Sequence, residues 1–122
     1  MKRIDTIKDK NFLILLNEIK KEILKMFGDK LVQLILYGSY ARSTQDPESD
    51  IDIMILVDES ETQLRGYRGQ IVDIMTDLSL KYNTVISFSR ETYSRYHQYL
   101  DVLPFFRNIN QEGVEIYGKD SN

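Results

Sequence analysis

The first long hydrophobic pattern in the chain has the period of an α-helix. Between positions 10 and 27, apolar residues recur at steps of three and four: Phe12, Leu15, Leu16, Ile19, Ile23, Met26 and Phe27. Lysine and glutamate occupy the opposite side, as in a helix that buries one face. Gly28 follows the last apolar residue and is typical of a helix C-terminal cap. We therefore predict an amphipathic helix over residues 10–27.

Shorter apolar segments are predicted to be strands. Residues 31–37 form an apolar run that suits a strand buried on both faces. Residues 50–57 alternate isoleucine and valine with other residues, and residues 84–89 are β-branched and aromatic. A small edge strand is predicted over residues 114–117.

The segments between these strands have helix and loop patterns. A short helix is predicted to begin at Ser39, followed by a polar loop over residues 43–49. Further helical segments are predicted at 60–81, 91–100 and 105–112, and a frayed tail at 119–122. Strands separated by helices predict an α/β (α+β) fold, in which helices pack on a small mixed β-sheet. A length of 122 residues predicts one domain over residues 1–122.

Composition narrows the function classes. The net charge of −3 and pI of about 5.2 disfavour a protein that grips nucleic acid by its phosphates. The absence of cysteine excludes disulfides, thiolate metal sites and cysteine nucleophiles. No apolar run approaches the roughly 18 residues of a membrane span, and no signal peptide is visible at the start. We therefore expect a cytoplasmic protein that contacts neither membrane nor nucleic acid; its oligomeric state stays open, a homo-oligomer included.

Two features between residues 38 and 52 carry candidate chemistry. Gly38 and Ser39 end a predicted strand and begin a helix, where backbone amides and a serine hydroxyl can hold phosphate oxygens. Asp50 and Asp52 are two residues apart on a predicted strand, so both carboxylates lie on one face and repel each other. A hard cation such as Mg²⁺ would compensate that charge. Taken singly, the first feature is more often a plain turn and the second a solvated strand face.

The two features together form a recognisable pattern. Ten polar or loop residues, Tyr40 to Ser49, separate Gly38-Ser39 from Asp50-Ile51-Asp52. This arrangement resembles the signature of the DNA polymerase β-like nucleotidyltransferase superfamily. The stretches Gly-Ser-Tyr-Ala-Arg-Ser and Ser-Asp-Ile-Asp-Ile resemble in particular the minimal nucleotidyltransferases, the partners of HEPN proteins in prokaryotic toxin–antitoxin pairs. The closing segment over residues 105–117 is also similar to the last helix and strand of such proteins.

The resemblance implies a function and roles for five residues. It implies transfer of a nucleoside monophosphate, AMP from ATP, to a protein hydroxyl, with a HEPN toxin as acceptor and partner. Asp50 and Asp52 would be the catalytic carboxylates and would hold Mg²⁺. Gly38 and Ser39 would bind the nucleotide phosphates, assisted by Arg42, which matches the arginine of the family's Gly-Ser-x-Ala-Arg-Gly pattern.

Two positions depart from the family pattern. Ser43 replaces a frequent glycine. Active superfamily members usually add a third carboxylate from a neighbouring strand, but the predicted strand over residues 83–89 contains no acid. Glu91, just past that strand, is the nearest substitute. The binding of nucleotide and metal is therefore better supported by the sequence than turnover.

Three alternatives follow from these observations. One is a weakly active or inactive nucleotidyltransferase-fold module that neutralises or scaffolds a partner protein. Another is an enzyme acting on a small molecule such as an aminoglycoside, although the chain leaves little room for a second domain. A third is a HEPN ribonuclease, because Arg90 and His97 have its loose arginine–histidine spacing. That motif requires an all-helical bundle, which the strand patterns contradict.

Overall fold

The computed structural model describes residues 1–119 and contains one mixed sheet with helices on both faces. The strands are β1 (Lys2–Arg3), β2 (Leu31–Tyr37), β3 (Ile51–Val57), β4 (Ile86–Thr92) and β5 (Val114–Gly118). The α-helices are α1 (Lys10–Phe27), α2 (Ser39–Arg42), α3 (Glu61–Arg65), α4 (Arg68–Tyr82), α5 (Tyr93–Gln98) and α6 (Pro104–Glu112). Short 3₁₀ turns at Ile4–Thr6 and Gly28–Lys30 flank α1.

The strands lie in the order β1-β5-β2-β3-β4. β2 is antiparallel to both β3 and β5, whereas the outer pairs β1–β5 and β3–β4 are parallel. Because β2 and β3 are neighbours in both chain and sheet and run antiparallel, the end of β2 lies beside the start of β3. Tyr37, the last residue of β2, pairs with Asp52.

Alternation along the strands divides the core into two layers. On one face, α1 and α4 cover Leu34, Leu36, Ile53 and Ile55 in the larger hydrophobic cluster. On the other face, α5 and α6 cover Ile35, Met54 and Leu56 with Tyr96, Phe106 and Ile109. Asp52 has the same strand parity as Met54, so its carboxylate lies on this second face, beyond the apolar cluster.

Several predicted elements are confirmed with small changes in their ends. α1 has the predicted bounds, and Gly28 ends it with a positive φ of 55°. β2 and α2 also form where the sequence predicts them, and β3 begins one residue later, at Ile51. The mixed sheet with helices packed on it confirms the predicted fold class.

Several predictions differ from the structure, including the helix expected over residues 91–100, which spans only Tyr93–Gln98. The helix expected over residues 60–81 is broken at Gly66 and Tyr67, because the Tyr67 ring turns inward against Phe27, with ring centroids 4.4 Å apart. β4 begins and ends later than predicted, since residues 90–92 pair with the end of β3.

The predicted edge strand β5 lies inside the sheet, because the unpredicted strand β1 pairs along its outer side. Of the predicted tail, Lys119 donates its backbone N–H to the carbonyl of Val32 at 2.9 Å, and residues 120–122 lie outside the described residues. Among residues 1–119, none of the helices has the length and apolar character needed to cross a bilayer.

Candidate functional site

Gly38 and Asp52 are in direct contact where β2 ends and β3 begins. A Cβ atom added to Gly38 would lie 2.5 Å from Oδ2 of Asp52, closer than real Cβ atoms come to other heavy atoms. Gly38 also has φ 76° and ψ −155°, a region that residues with a side chain essentially never occupy. The backbone conformation requires glycine here, and a side chain at this position would also displace the Asp52 carboxylate. The two halves of the sequence pattern are thus joined by a contact between backbone and carboxylate.

The short helix α2 begins at Ser39, directly after this contact. The carbonyl of Gly38 accepts hydrogen bonds from the amides of Ala41 (3.1 Å) and Arg42 (3.2 Å). Ser43 ends the helix in a left-handed conformation with φ 58°, which glycine adopts more easily. Ser43 is the residue that replaces the frequent glycine of the family pattern. The last turn of α2 still forms its hydrogen bond, since Thr44 donates its backbone N–H to the Ser39 carbonyl at 2.9 Å.

Asp50 and Asp52 form an unequal pair. Asp50 precedes β3 and is exposed, whereas Asp52 is half-buried beside Gly38. Burial raises the pKa of the Asp52 carboxyl, and the negative charge of Asp50 raises it further. The pair therefore carries repulsion that a bound cation would relieve.

Arg42 reduces part of that repulsion. Its positive charge lowers the pKa of Asp52, although less than burial and Asp50 raise it. Its guanidinium also pairs with Glu112 at the end of α6, Nη1 to Oε2 at 3.3 Å, with about half of each side chain exposed. Arg42 is thus shared between the acidic pair and a glutamate 70 positions later in the chain.

Ser87 occupies the position on the neighbouring strand where a third carboxylate could reach the site. In the parallel β3–β4 pair, Asp52 pairs with Ser87, while Glu91 pairs with Leu56. Four residues of strand separate Ser87 from Glu91, which corresponds to about 13 Å. The Glu91 carboxylate instead accepts from Arg95 one helical turn later. Glu91, the nearest substitute in the sequence, is therefore not part of this site.

Tyr37 and Ser89 add a pair of hydroxyl groups that sequence reasoning missed. The two oxygens are 2.8 Å apart, on the sheet face that carries Asp52. The Tyr37 ring meets Phe105 edge-on, with centroids 5.6 Å apart. Burial raises the pKa of Tyr37, so its phenol stays protonated at neutral pH and can donate a hydrogen bond. The position of Tyr37 next to Gly38 in the sequence indicates that Tyr37 lies near the site. The partners of its side chain depend on strand register and could not be predicted.

The donor set of the site fits a magnesium ion held mainly by substrate. Within residues 1–119 there is no cluster of three or more His, Cys, Asp or Glu side chains arranged for a metal. Asp50 and Asp52 supply two carboxylates. Mg²⁺ is commonly bound by one or two carboxylates, with water and substrate phosphates completing an octahedron. The repulsion between the two aspartates favours such an ion.

Comparison with known proteins gives the family. The sequence model of the nucleotidyltransferase domain family matches residues 16–102. This range contains Gly38, Ser39, Arg42, Asp50 and Asp52. The chain belongs to the nucleotidyltransferase domain family. Its activity is therefore of the nucleotidyltransferase type.

Two relatives from Methanocaldococcus jannaschii agree with this assignment. Both are named "putative protein adenylyltransferase". One is 44% identical over 73 residues, which span 60% of this chain and 72% of the relative. The other is 30% identical over 102 residues, which span 84% of this chain and 94% of the relative.

Solved structures share the fold. A toxin–antitoxin structure with AMP-PNP matches with a TM-score of 0.56 and 21% identity, over 84% of this chain and 73% of the other. The toxin–antitoxin MntA–HepT structure matches with a TM-score of 0.50 and 17% identity, over 86% of this chain and 71% of the other. At these identities the likeness establishes the nucleotidyltransferase fold of the chain and nothing finer.

The ribonuclease alternative does not fit the fold. Arg90 lies on β4, and His97 lies on α5, where its ring stacks on Tyr93 with centroids 5.7 Å apart. A sheet carries one of the two residues, so the all-helical arrangement that the motif requires is absent from residues 1–119.

Proposed function

We propose that this chain is a Mg²⁺-dependent adenylyltransferase that modifies a hydroxyl group on a partner protein. The observation that carries the proposal is the contact of Gly38 with Asp52, beside the second carboxylate of Asp50. This contact places a helix start and an acidic pair at one point of the sheet. The names of the relatives from M. jannaschii support a protein as acceptor.

Gly38, Ser39 and Arg42 would bind the triphosphate. The amides at the start of α2 and the Ser39 hydroxyl are donors suited to phosphate oxygens, and the guanidinium of Arg42 adds positive charge. Gly38 allows the backbone to lie against Asp52 without a side chain between them. These groups would position the terminal phosphates on the β2 side of Asp52.

Asp50 and Asp52 would hold the metal. Bound Mg²⁺ would supply charge neutralisation for the triphosphate and the departing pyrophosphate. In the transfer, the acceptor oxygen forms a bond to the α-phosphorus, the bond from that phosphorus to the α–β bridging oxygen breaks, and pyrophosphate leaves. The acceptor proton passes to solvent, because Ser87 and not an acid lies opposite Asp52.

The partner we propose is a HEPN-type toxin, with this chain as its antitoxin. The sequence resemblance to minimal nucleotidyltransferases supports this choice. The fold neighbours support it too, since they are toxin–antitoxin complexes, one of them with AMP-PNP.

Labelled ATP tests the proposal directly. The protein is incubated with ATP labelled at the α-phosphate, Mg²⁺ and the protein encoded by the neighbouring gene. We expect label on the partner, and none with ATP labelled at the γ-phosphate. The Asp50→Asn/Asp52→Asn double variant, checked for folding by circular dichroism, should give no label. Absence of α-label with the unaltered protein, while ATP still binds, would sink the proposed transfer.

A second candidate function is neutralisation of the partner without transfer. The serine opposite Asp52 favours it, because no third carboxylate is available there as a base. The same double variant separates the two functions in a toxicity assay. If transfer is the function, Asp50→Asn/Asp52→Asn loses protection against the toxin; if binding alone suffices, protection persists.

A further inference from the structure

The outer edge of β4 has backbone groups without partners. β4 is the last strand of the sheet, and Ile51 donates its amide to the carbonyl of Val85 at 2.8 Å. In a parallel pair, alternate residues point their backbone groups toward the neighbouring strand. Residues 85, 87, 89 and 91 therefore face β3, and the N–H and C=O groups of Phe88 and Arg90 point outward. Among the described residues, no hydrogen bond satisfies these outward amides.

A groove of about 470 Å³ lies at residues 89–91 of this strand, next to Phe88. Glu61, Leu64 and Arg65 of α3 form one wall, and Arg95, Phe105 and Phe106 of α5 and α6 form the other. Ser89, Arg90 and Glu91 of β4 lie between them. Phe105 is 48% exposed at the rim. The groove therefore offers both an apolar wall and a free strand edge.

The charge of the groove favours an acidic occupant. Three arginines line it, against two glutamates. Arg65 pairs with Glu61 at 3.8 Å, and Arg95 pairs with Glu91. Arg90 has no ion pair among residues 1–119. One positive charge is thus uncompensated at the centre of the strand edge.

The groove also lies on the side from which an acceptor must approach. Displacement at phosphorus requires the attacking oxygen roughly in line with the leaving group. Gly38, Ser39 and Arg42 lie on the β2 side of Asp52, so an acceptor opposite the pyrophosphate enters from the β4 side. Ser89 lines the groove and is two residues beyond Ser87, the partner of Asp52.

We propose that this groove binds an extended, carboxylate-bearing segment of the acceptor protein, which adds to the sheet as a strand along β4. Hydrogen bonds to Phe88 and Arg90 fix the register of the segment, and Arg90 pairs with its carboxylate. This proposal rests on the proposed transfer to a protein. Gly38, Ser39 and Arg42, the residues proposed to bind the nucleotide, lie on the β2 side of β3. The groove gives the acceptor hydroxyl a path to Asp52 from the opposite side, along β4.

The test uses a capped heptapeptide that alternates valine and glutamate, titrated to millimolar concentration and followed by amide NMR of the whole protein. We expect the amide signals of Phe88 and Arg90 to shift and their hydrogen exchange to slow. Two control peptides accompany it, one with lysine in place of glutamate and one N-methylated at alternate residues. Each should bind at least about fivefold more weakly, because one loses the ion pair and the other the strand hydrogen bonds.

Charge reversal supplies the matched variant. Arg90→Glu should reverse the preference, so that the lysine peptide binds better than the glutamate peptide. Arg68→Glu, at an exposed arginine on α4 outside the groove, should leave the preference unchanged. Arg90→Gln removes the charge without reversing it and should bind both peptides equally. Unchanged dispersion of the remaining amide signals verifies that each variant is folded.

Three results would overturn the proposal: no shift at Phe88 and Arg90 with any peptide, equal binding of the N-methylated peptide, or an unchanged preference in Arg90→Glu. Adding ATP and Mg²⁺ to the same sample reports on the proposed function separately, through the amides of Gly38 and Asp52. Shifts there without shifts at β4 would leave the nucleotide site standing and refute the groove.

Discussion

Ser87 lies directly opposite Asp52 across the parallel β3–β4 pair. Adjacent strands are about 4.8 Å apart, so a side chain at position 87 on the same face can reach a metal ion bound by Asp52. A hydroxyl group there is neutral at physiological pH. The position from which a third acid could reach the site is therefore occupied by a serine.

We expect Ser87→Asp to tighten Mg²⁺ binding about tenfold, because a third carboxylate adds charge and a ligand. Isothermal titration with Mg²⁺ in the presence of a non-hydrolysable ATP analogue measures the change. Without metal, the same variant should unfold more easily because three like charges repel. Ser87→Asn has nearly the same size without the charge and should leave Mg²⁺ affinity unaltered; equal gains in both variants would contradict the explanation.

Gly38→Ala should impair both stability and nucleotide binding. The added methyl group collides with the Asp52 carboxylate, and the backbone conformation costs about 1–3 kcal/mol for any other residue. Thermal unfolding and ATP titration measure the two effects. Gly28→Ala is the matched control, because Gly28 also has a positive φ of 55° but no atom within 4 Å of the added Cβ. It should lose stability yet bind ATP normally.

Asp52→Asn should stabilise the metal-free protein at neutral pH. The pKa of Asp52 is higher in the folded protein than its ordinary value of 3.8. Ionising it therefore costs stability as pH rises from 3.8 through the raised pKa, and the full cost applies above that raised pKa. Because the carboxyl is partly solvated, the gain should be about 0.5 kcal/mol.

Urea unfolding at several pH values with a chelator present measures this difference. It should disappear at pH values below the ordinary pKa of the carboxyl. Exposed Asp73 on α4 provides the control variant Asp73→Asn, which should lack the effect. Mg²⁺ with ATP should reverse the order, since the unaltered protein gains a ligand that Asp52→Asn holds poorly.

The Arg42–Glu112 pair should tune nucleotide affinity more than stability. Both side chains are about half exposed, so breaking the pair with Glu112→Gln should change the unfolding free energy by less than about 0.5 kcal/mol. Arg42 is then free to face the phosphates, and ATP should bind more tightly at low salt. Arg42→Gln should weaken ATP binding about tenfold and raise the pKa of Asp52 further. Glu61→Gln, which breaks a similar exposed pair with Arg65, should change neither ATP affinity nor the pKa of Asp52.

Two Tyr→Phe substitutions should act in opposite directions. The Tyr96 hydroxyl is buried without a hydrogen-bond partner among the described residues, and burial raises its pKa to about 12. Tyr96→Phe should therefore stabilise the protein by about 1 kcal/mol. Tyr37→Phe removes the hydrogen bond to Ser89 and should cost about 1 kcal/mol. Chemical denaturation of both variants decides whether the signs differ.

Local sequence was sufficient to predict that Gly38 and Ser39 lie beside Asp52. Gly38 and Ser39 directly follow β2, and Asp52 lies on β3, the adjacent antiparallel strand, so their proximity follows from chain order. The 3.6-residue and two-residue periods in this region are strong because the segments bury full faces. α1, β2 and β3 were predicted for that reason.

Register between distant strands could not be read from the sequence. The apolar pattern ends at Ser89, yet β4 continues through Arg90 and Glu91 because an edge strand tolerates charged residues. The early end placed Glu91 outside the strand and near the acidic pair. Only the pairing with β3 places Ser87 opposite Asp52 and moves Glu91 away.

The position of β5 has a consequence for biosynthesis. β5 is the last strand described, yet it lies between β1 and β2, against strand residues such as Leu34, Ile35 and Leu36 that are fully buried. While the ribosome is still making residues 114–118, one side of β2 has no neighbour and its hydrogen-bonding groups face water. A nascent chain at that stage, or a product truncated before Val114, exposes a hydrophobic sheet edge that can pair with other chains. Synthesis of β5 therefore protects the neighbouring edge of β2 from aggregation.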